Sequence, residues 1–162
     1  MKTIKRTGKI PVMYAYIIAF EGKNKGFRDC NDGHPNLCEK GANLIRQNRQ
    51  HIIDRYSMHA KKVAEYLGKD TVAVFLIEPD FYQYYHTDHK QEGGTLSGKE
   101  MRALYDEFGK AIKSHLPNAL ISWDISPWAN LNTWWSFFKD SQYVDLIHTS
   151  GGQHHAGKTF LL

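Results

Sequence analysis

Residues 71–85 of the chain read TVAVFLIEPDFYQYY. The first seven residues form an apolar run rich in β-branched side chains, which is typical of a strand buried on both faces of a sheet. Pro79 has no N–H to donate to a neighbouring strand, so regular pairing is expected to stop there. Parallel α/β sheets place their chemistry at the carboxyl ends of strands. The stretch therefore predicts that the carboxylates of Glu78 and Asp80 lie at such an end, although an isolated Glu-Pro-Asp is also typical of a plain acidic turn.

The rest of the chain alternates strand-like apolar runs with amphipathic helical patterns. Further strands are predicted within residues 10–20, 119–123 and 143–148. Helices are predicted over residues 42–67, from the capping box of Ser97 and Glu100 to residue 116, and over residues 134–138. A long polar loop at residues 21–41 is interpreted as functional rather than as a mere connector.

This order of elements predicts a parallel α/β sheet built from βα units with right-handed crossovers. Four strands are too few to close an eightfold barrel, which takes about 250 residues. We therefore expect residues 1–162 to be a single α/β domain that forms the central part of a longer, distorted TIM-like (β/α) barrel.

The bulk composition is that of an ordinary globular chain. Of the 162 residues, 41% are hydrophobic and 23% are charged, and no apolar run is as long as a membrane span. The formal net charge is +4, and lysines and arginines alternate with acids along the helical stretches. That pattern indicates solvated helix faces, so neither a nucleic-acid nor a membrane partner is expected. The start of the chain carries no recognisable signal peptide.

Two cysteines, Cys30 and Cys38, bracket a polar stretch of the first long loop. From the residues alone they can close a small disulfide, stay free, or pair elsewhere in a longer chain. Two cysteines do not assign a cellular compartment.

Three aspartates, Asp29, Asp80 and Asp124, follow strand ends or lie in the first long loop. In a parallel sheet these points converge on one rim. A cleft with several carboxylates and exposed aromatic rings is the signature of glycoside hydrolysis, in which one carboxylic acid protonates the leaving oxygen and a neighbouring carboxylate assists. Aromatic faces suit sugar rings, and all four tryptophans lie between Trp123 and Trp135. Each tryptophan is equally consistent with a core residue.

The motifs around these aspartates resemble the successive active-site motifs of glycoside hydrolase family 6, the cellobiohydrolases and endoglucanases with an incomplete, distorted α/β barrel. The resemblance extends from about residue 12 to residue 130 and includes the single long helix between the first two motifs. The matching segments, in chain order, are Arg28-Asp29-Cys30, Ile77-Glu78-Pro79-Asp80, and Asp124 followed by Trp128, Ala129 and Asn130.

The resemblance implies a role for each matching residue. Asp80 would be the general acid, Asp29 would keep it protonated and help to stabilise the transition state, and Asp124 would line the site and hold substrate. Trp128 would be a stacking platform. Further substrate contacts are expected from Trp134, Tyr16, Glu78, Tyr82 and Asn130.

The resemblance also implies a reaction and a setting. The substrate would be a polysaccharide or oligosaccharide with β-linked glucose units, as in cellulose, and the protein would be extracellular. Hydrolysis would invert the anomeric centre, with the second carboxylate acting through water across a gap of roughly 6.5–9.5 Å.

The sequence departs from the family pattern in two places. In the family, a tyrosine of the first strand stands a short, fixed distance before the Arg-Asp-Cys segment, whereas here the spacing is longer and either Tyr14 or Tyr16 can take that place. The carboxylate on the base side lies downstream in the family, beyond Leu162 here. The family cysteine that follows Asp29 often joins a disulfide, for which Cys38 is the available partner.

Two other interpretations remain open at this point. One is a catalytically inactive carbohydrate-binding relative, which keeps the aromatic platform without needing the acids. The other is an unrelated barrel hydrolase in which Glu78 rather than Asp80 is the working acid.

Two further patterns are weaker indications of function. Residues 152–159 match the phosphate-loop pattern letter for letter, but only three residues remain for the helix that must follow. Histidines recur as His86 with His89, and as His148 with His154 and His155. They lack a clear third ligand, so neither a metal nor another cofactor is expected.

Overall fold

A computed structural model describes residues 7–149 of the chain. Within that part, one or two α-helices separate each strand from the next, and a short 3-10 helix, Phe81–Tyr84, follows the second strand. The strands are β1 (Val12–Ala15), β2 (Val74–Ile77), β3 (Leu120–Asp124) and β4 (Leu146–His148). The helices are α1 (Ile17–Asn24), α2 (Leu37–Leu67), α3 (Gly98–Lys113) and α4 (Leu131–Phe138).

The four strands form one parallel sheet in the order β1-β2-β3-β4. Val74 of β2 pairs with Val12 of β1 on one side and with Leu120 of β3 on the other. The predicted α/β class with parallel βα units is therefore confirmed. The described strands form an open sheet, so closure into a TIM-like barrel is not confirmed.

The two faces of the sheet differ in burial because successive side chains of a strand point to opposite sides. Phe75 and Ile121 belong to the face that packs under the helices and are fully buried. On the opposite face, Val12 and Tyr14 of β1 remain 59% and 61% exposed. The helices pack in chain order, α1 on α2, α2 on α3 and α3 on α4, so the core lies between them and one side of the sheet.

The expectation of a single strand over residues 10–20 is wrong beyond residue 15. The chain turns after Tyr16, and the following apolar residues form helix α1, with Ile17 and Ile18 buried. Its first two N–H groups, at Ile17 and Ile18, donate to the side chain of Glu78, a tertiary contact that no local pattern reveals. The extra length between the first-strand tyrosine and Arg28 is therefore largely helix.

The loop predicted at residues 21–41 is also shorter than expected, since it spans residues 25–36. Helix α2 begins at Leu37 because the side chain of Asn36 accepts a hydrogen bond from the N–H of Glu39 at 3.1 Å. The capping box predicted from Ser97 and Glu100 is confirmed at the start of α3. Residues 152–159, His154 and His155 lie outside the described part of the chain.

Replacing Gly41 in α2 by alanine should destabilise the fold. In an open helix this change stabilises by up to about 1 kcal/mol, but here the added Cβ would overlap the ring of Tyr84, which is fully buried. We expect a net loss of roughly 1–3 kcal/mol in the free energy of unfolding, measured by urea denaturation. The matched control is Lys61→Ala on the exposed face of the same helix, which should change that free energy by less than about 0.5 kcal/mol.

Candidate active site

The carboxyl ends of the strands bring together most of the predicted site residues. Tyr16 follows β1, Asp80 follows β2 after two intervening residues, Asp124 ends β3 and His148 ends β4. Because the strands are parallel and neighbours in the sheet, these residues share one edge.

Asp80 and Asp124 are joined directly across the ends of β2 and β3. The N–H of Asp80 donates to Oδ2 of Asp124 at 3.1 Å. The Ser126 hydroxyl lies 2.8 Å from the same Oδ2 and 3.3 Å from Oδ1 of Asp80. Asp124 is only 1% exposed. Its carboxylate therefore has little contact with solvent and instead fixes the backbone of the turn that carries Asp80.

The turn that carries Asp80 has an unusual backbone. Glu78 and Asp80 both have positive φ, at 44° and 59°, a region that costs residues other than glycine about 1 kcal/mol or more each. Pro79 stands between them. The hydrogen bond from the Asp80 N–H to Asp124 offsets part of that cost, and the turn directs the Asp80 side chain towards Ser126 and Trp128.

A groove of about 460 Å³ lies in front of Asp80. Asp29, Asp80 and Trp128 line it, together with Gln83 and His86 of the stretch that follows β2. Trp128 is 51% exposed, and its Nε1 donates to Oδ1 of Asp80 at 3.4 Å. The indole is therefore fixed at one edge while much of its surface stays accessible.

Asp29 reaches the groove from the loop at residues 25–36. The loop closes on itself, since the N–H of Arg28 donates to the Pro35 carbonyl at 2.9 Å and the N–H of Leu37 donates to the Arg28 carbonyl at 3.0 Å. Of the three fates open to the cysteines, the structure shows a disulfide between Cys30 and Cys38. This bond ties the residue after Asp29 to the first turn of α2.

Tyr14 of β1 and Tyr16, which follows this strand, are both influenced by the charges of the same carboxylates. Burial raises the pKa of Tyr16, and the negative charges of Asp80, Asp29 and Glu78 raise it further. Burial, then Asp124 and Asp80, raises the pKa of Tyr14. Both phenols therefore stay neutral at physiological pH and can donate a hydrogen bond.

Two aromatic residues predicted to contact substrate lie beneath the groove instead. Trp134 is fully buried and Tyr82 is 3% exposed. The Trp134 Nε1 donates to the Asp124 carbonyl at 2.9 Å, and the Tyr82 ring packs edge-on against Trp128 at 5.1 Å between centroids. The expectation that Trp134 and Tyr82 contact substrate is corrected, since neighbouring rings cover their faces.

Asn130 is exposed but has a local structural role. Its side chain caps α4 by accepting a hydrogen bond from the N–H of Thr133 at 3.0 Å.

Glu78 is also not a surface residue of the groove. It is 1% exposed, and its Oε1 accepts hydrogen bonds from the N–H groups of Ile17 at 3.0 Å and Ile18 at 3.1 Å. The Tyr56 hydroxyl donates to the same oxygen at 2.5 Å. Burial raises the pKa of Glu78 to about 8, although these three hydrogen bonds lower it. The expectation that Glu78 contacts substrate is therefore corrected, and the geometry does not favour it as the working acid.

Sequence reasoning missed Ser126 and Tyr56. Ser126 lies two residues after Asp124. A hydroxyl so close in sequence to an acid at a strand end could have indicated a hydrogen bond between the two side chains. Tyr56 lies among the core-facing apolar residues of α2, and nothing in its local sequence indicates a buried carboxylate partner.

The histidines of the described residues form no metal centre. His148 lies with Nε2 3.7 Å from Oδ1 of Asp124 and Nδ1 3.0 Å from the Ser122 hydroxyl, and burial lowers the pKa of His148. His86 and His89 both line the groove. Within residues 7–149, no group of three or more His, Cys, Asp or Glu side chains is arranged to hold a metal ion.

Comparison of the chain with protein-family models, with curated proteins and with solved structures finds no match in any of the three. Among residues 7–149, no helix has the length and apolar character needed to cross a membrane.

The buried carboxyl of Glu78 should make stability fall as the pH rises. Its pKa is raised from an ordinary 4.5 to about 8 in the folded protein, so between these values the folded chain holds a proton that the unfolded chain has released. The stabilising contribution is complete below pH 4.5 and is lost as the pH rises through 8. Between pH 5 and pH 8, Glu78 should lower the free energy of unfolding by roughly 2–4 kcal/mol.

Urea denaturation of Glu78→Gln across this pH range tests the prediction. The variant keeps a similar shape without a titratable group, so its free energy of unfolding should depend less on pH than that of the wild type. Glu65→Gln, on the exposed face of α2, is the matched control and should follow the wild type. Equal pH slopes for wild type and Glu78→Gln would contradict the assignment.

Proposed function

We propose that the protein is a glycoside hydrolase that cleaves a β-linked glucan by inverting general acid/base hydrolysis, with Asp80 as the general acid. The observation that carries the proposal is the meeting of Asp29, Asp80 and the exposed face of Trp128 in one groove at the carboxyl edge of a parallel sheet. Carboxyl groups beside an open aromatic platform are what glycosidic bond cleavage requires.

The surroundings of Asp80 are compatible with a proton donor. The Ser126 hydroxyl has one hydrogen, and its contact with Asp124 at 2.8 Å is shorter than its contact with Asp80 at 3.3 Å. When that hydrogen points to Asp124, the Ser126 oxygen can accept a hydrogen bond from protonated Asp80. For catalysis, the acidic proton of Asp80 would turn from Ser126 towards a glycosidic oxygen in the groove that Asp80 lines.

Asp29 completes the polar side of the groove. Asp29 is exposed and lines the groove with Asp80, where its negative charge can stabilise the positive charge that develops at the anomeric carbon. The Tyr16 hydroxyl is buried and does not line the groove, and the charges of both aspartates help to raise its pKa. Asp124 is buried and positions Asp80 by accepting a hydrogen bond from its backbone N–H.

Trp128 is the proposed stacking platform. The Tyr82 ring supports it edge-on from below, and Trp134 packs against Tyr82 in turn at 5.2 Å. A rigid, half-exposed indole presents a flat apolar surface at little entropic cost to the side chain. The buried aromatic residues thus serve the substrate indirectly, by holding the exposed one.

The proposal includes the finer fold and setting implied by family 6. The open parallel sheet would be part of a distorted TIM-like barrel, and the catalytic base would act through water from another part of that barrel. The substrate would be an extracellular polysaccharide or its oligosaccharides. Hydrolysis by a pair of carboxyl groups needs no cofactor.

Asp80→Asn should abolish cleavage while leaving glycan binding in place. The amide cannot donate the catalytic proton, so kcat for β-1,4-linked glucan oligosaccharides should fall about 100- to 10,000-fold. Product analysis by chromatography measures the rate, and isothermal titration calorimetry measures binding. The matched control is Asp70→Asn, an exposed carboxylate before β2 at the opposite edge of the sheet, which should retain the wild-type rate.

The possible outcomes separate the alternatives. Cleavage that persists in Asp80→Asn contradicts the assignment of the general acid. Glycan binding with no cleavage in the wild type identifies a carbohydrate-binding protein instead of a hydrolase. A wild-type protein that neither binds nor cleaves glucan oligosaccharides overturns the proposal entirely.

A further inference from the structure

Gln83 contacts both of the segments that carry Asp29 and Asp80. It belongs to the 3-10 helix that follows the Asp80 turn, and its N–H donates to the Asp80 carbonyl at 3.0 Å. Its side-chain oxygen lies 2.8 Å from Sγ of Cys30 and 3.9 Å from Sγ of Cys38. Gln83 therefore meets the Asp80 turn through its backbone and the disulfide of the Asp29 loop through its side chain.

Cys30 extends this connection to the carboxylate of Asp29. The N–H of Cys30 donates to Oδ1 of Asp29 at 2.8 Å, so the residue in contact with Gln83 also holds the aspartate side chain. Gln83 and Cys30 together thus connect the Asp80 backbone with the Asp29 carboxylate. Gln83 is 4% exposed and lines the same groove as both acids.

The chemistry of the disulfide indicates how the Gln83 amide is oriented. The two sulfur atoms are bonded to each other and carry no hydrogen, so neither can donate to an amide oxygen that lies against them. The NH2 group of an amide has two donors, and a divalent sulfur is a weak acceptor. The NH2 group is therefore the better partner for the disulfide.

The other side of the amide faces two buried phenols. Among residues 7–149, Nε2 of Gln83 and the hydroxyl groups of Tyr16 and Tyr84 are buried without a hydrogen-bond partner. The three groups are neighbours, since burial raises the pKa of both phenols and the Gln83 side chain acts on each in the opposite direction. Leaving buried polar groups unpaired is costly. An amide oxygen has two lone pairs, so it can accept a hydrogen bond from each phenol.

We propose that Gln83 is a positioning residue that sets the separation of Asp29 and Asp80. Its amide oxygen accepts hydrogen bonds from the Tyr16 and Tyr84 hydroxyl groups, and its NH2 group lies against the disulfide. A half turn of the amide about its last bond gives this orientation and leaves the shape of the side chain unchanged. The inference rests on the proposed function and adds to it a residue that holds the two acids in register without taking part in proton transfer.

Neutron diffraction from deuterium-exchanged crystals of the wild type tests the orientation of the amide. The expected result is a Gln83 nitrogen with two deuterium atoms on the side of the disulfide. The hydroxyl deuterium atoms of Tyr16 and Tyr84 should point to the amide oxygen. A nitrogen on the side of the phenols, or a water molecule between the phenols and the amide, overturns the inference.

Gln83→Met tests the positioning role, because methionine has a similar length but neither the oxygen nor the NH2 group. In crystal structures, the distance between the Asp29 and Asp80 carboxyl groups should be greater than in the wild type. For β-1,4-linked glucan oligosaccharides, kcat should fall about 10- to 100-fold, while KM should change by less than about twofold because Trp128 is untouched. The matched control is Gln47→Met at an exposed position of α2, which should keep the wild-type distance and rate.

A thermal melt monitored by circular dichroism checks that Gln83→Met is folded. If it is not, Tyr84→Phe takes its place, because this change removes one hydrogen bond to Gln83 and keeps the buried ring. The distance between the two carboxyl groups should again increase, and kcat should fall about two- to fivefold. An unchanged distance or an unchanged kcat in the folded variant overturns the inference. A rise in KM at constant kcat also overturns it, because Gln83 would then be a binding residue.

Failure of the inference can be distinguished from failure of the proposed function. If the wild type cleaves glucan oligosaccharides but Gln83→Met keeps the wild-type kcat and distance, only the inference fails. If the wild type does not cleave, the proposed function fails. In that case, an increased distance between Asp29 and Asp80 in Gln83→Met still supports the inference, and an unchanged distance overturns it.

Discussion

The buried carboxyl of Glu78 is the contact on which the geometry of the site depends. It accepts hydrogen bonds from the N–H groups that open α1 and from the Tyr56 hydroxyl of α2, while its own N–H donates to the Ala15 carbonyl at the end of β1. Glu78 thus joins the ends of β1 and β2 to the two helices that lie between these strands in the chain. Buried polar groups are stable only when they are paired in this way.

The active-site turn starts from that fixed point. Two residues after Glu78, Asp80 occupies a left-handed conformation that no isolated chain would favour. The backbone bond to Asp124 holds it there, and Ser126 and Trp128 approach its carboxyl from the loop after β3. Strain, buried acids and a half-exposed indole are therefore concentrated where the proposed chemistry takes place, which is common at functional sites.

The prediction of the parallel sheet succeeded where the signals are local. The apolar run before Glu78 and the capping box at Ser97 each depend on neighbouring residues, and both were recovered. The prediction failed at residues 17–24, because Ile17 and Ile18 look the same in a strand as in a buried helix, and the partner that decides between them is distant in sequence. The sequence also did not show that Trp128 is exposed and Trp134 is buried, because tryptophan occurs both in protein cores and at partly exposed positions.

By itself, the sequence determined the order of the four strands and of helices α2, α3 and α4, the end of β2 at the Glu-Pro-Asp turn, and the placement of Asp80 and Asp124 at neighbouring strand ends. These follow from side-chain period, proline chemistry and parallel connection rules, all of which act over short stretches. Only the tertiary structure decided that Glu78 faces inward, that Trp128 faces the groove whereas Trp134 is buried, and that residues 17–24 form helix α1. These outcomes depend on the hydrogen-bond partners of the buried Glu78 carboxyl and on the aromatic rings that cover Trp134. These partners are distant in the sequence and become neighbours only when the chain is folded.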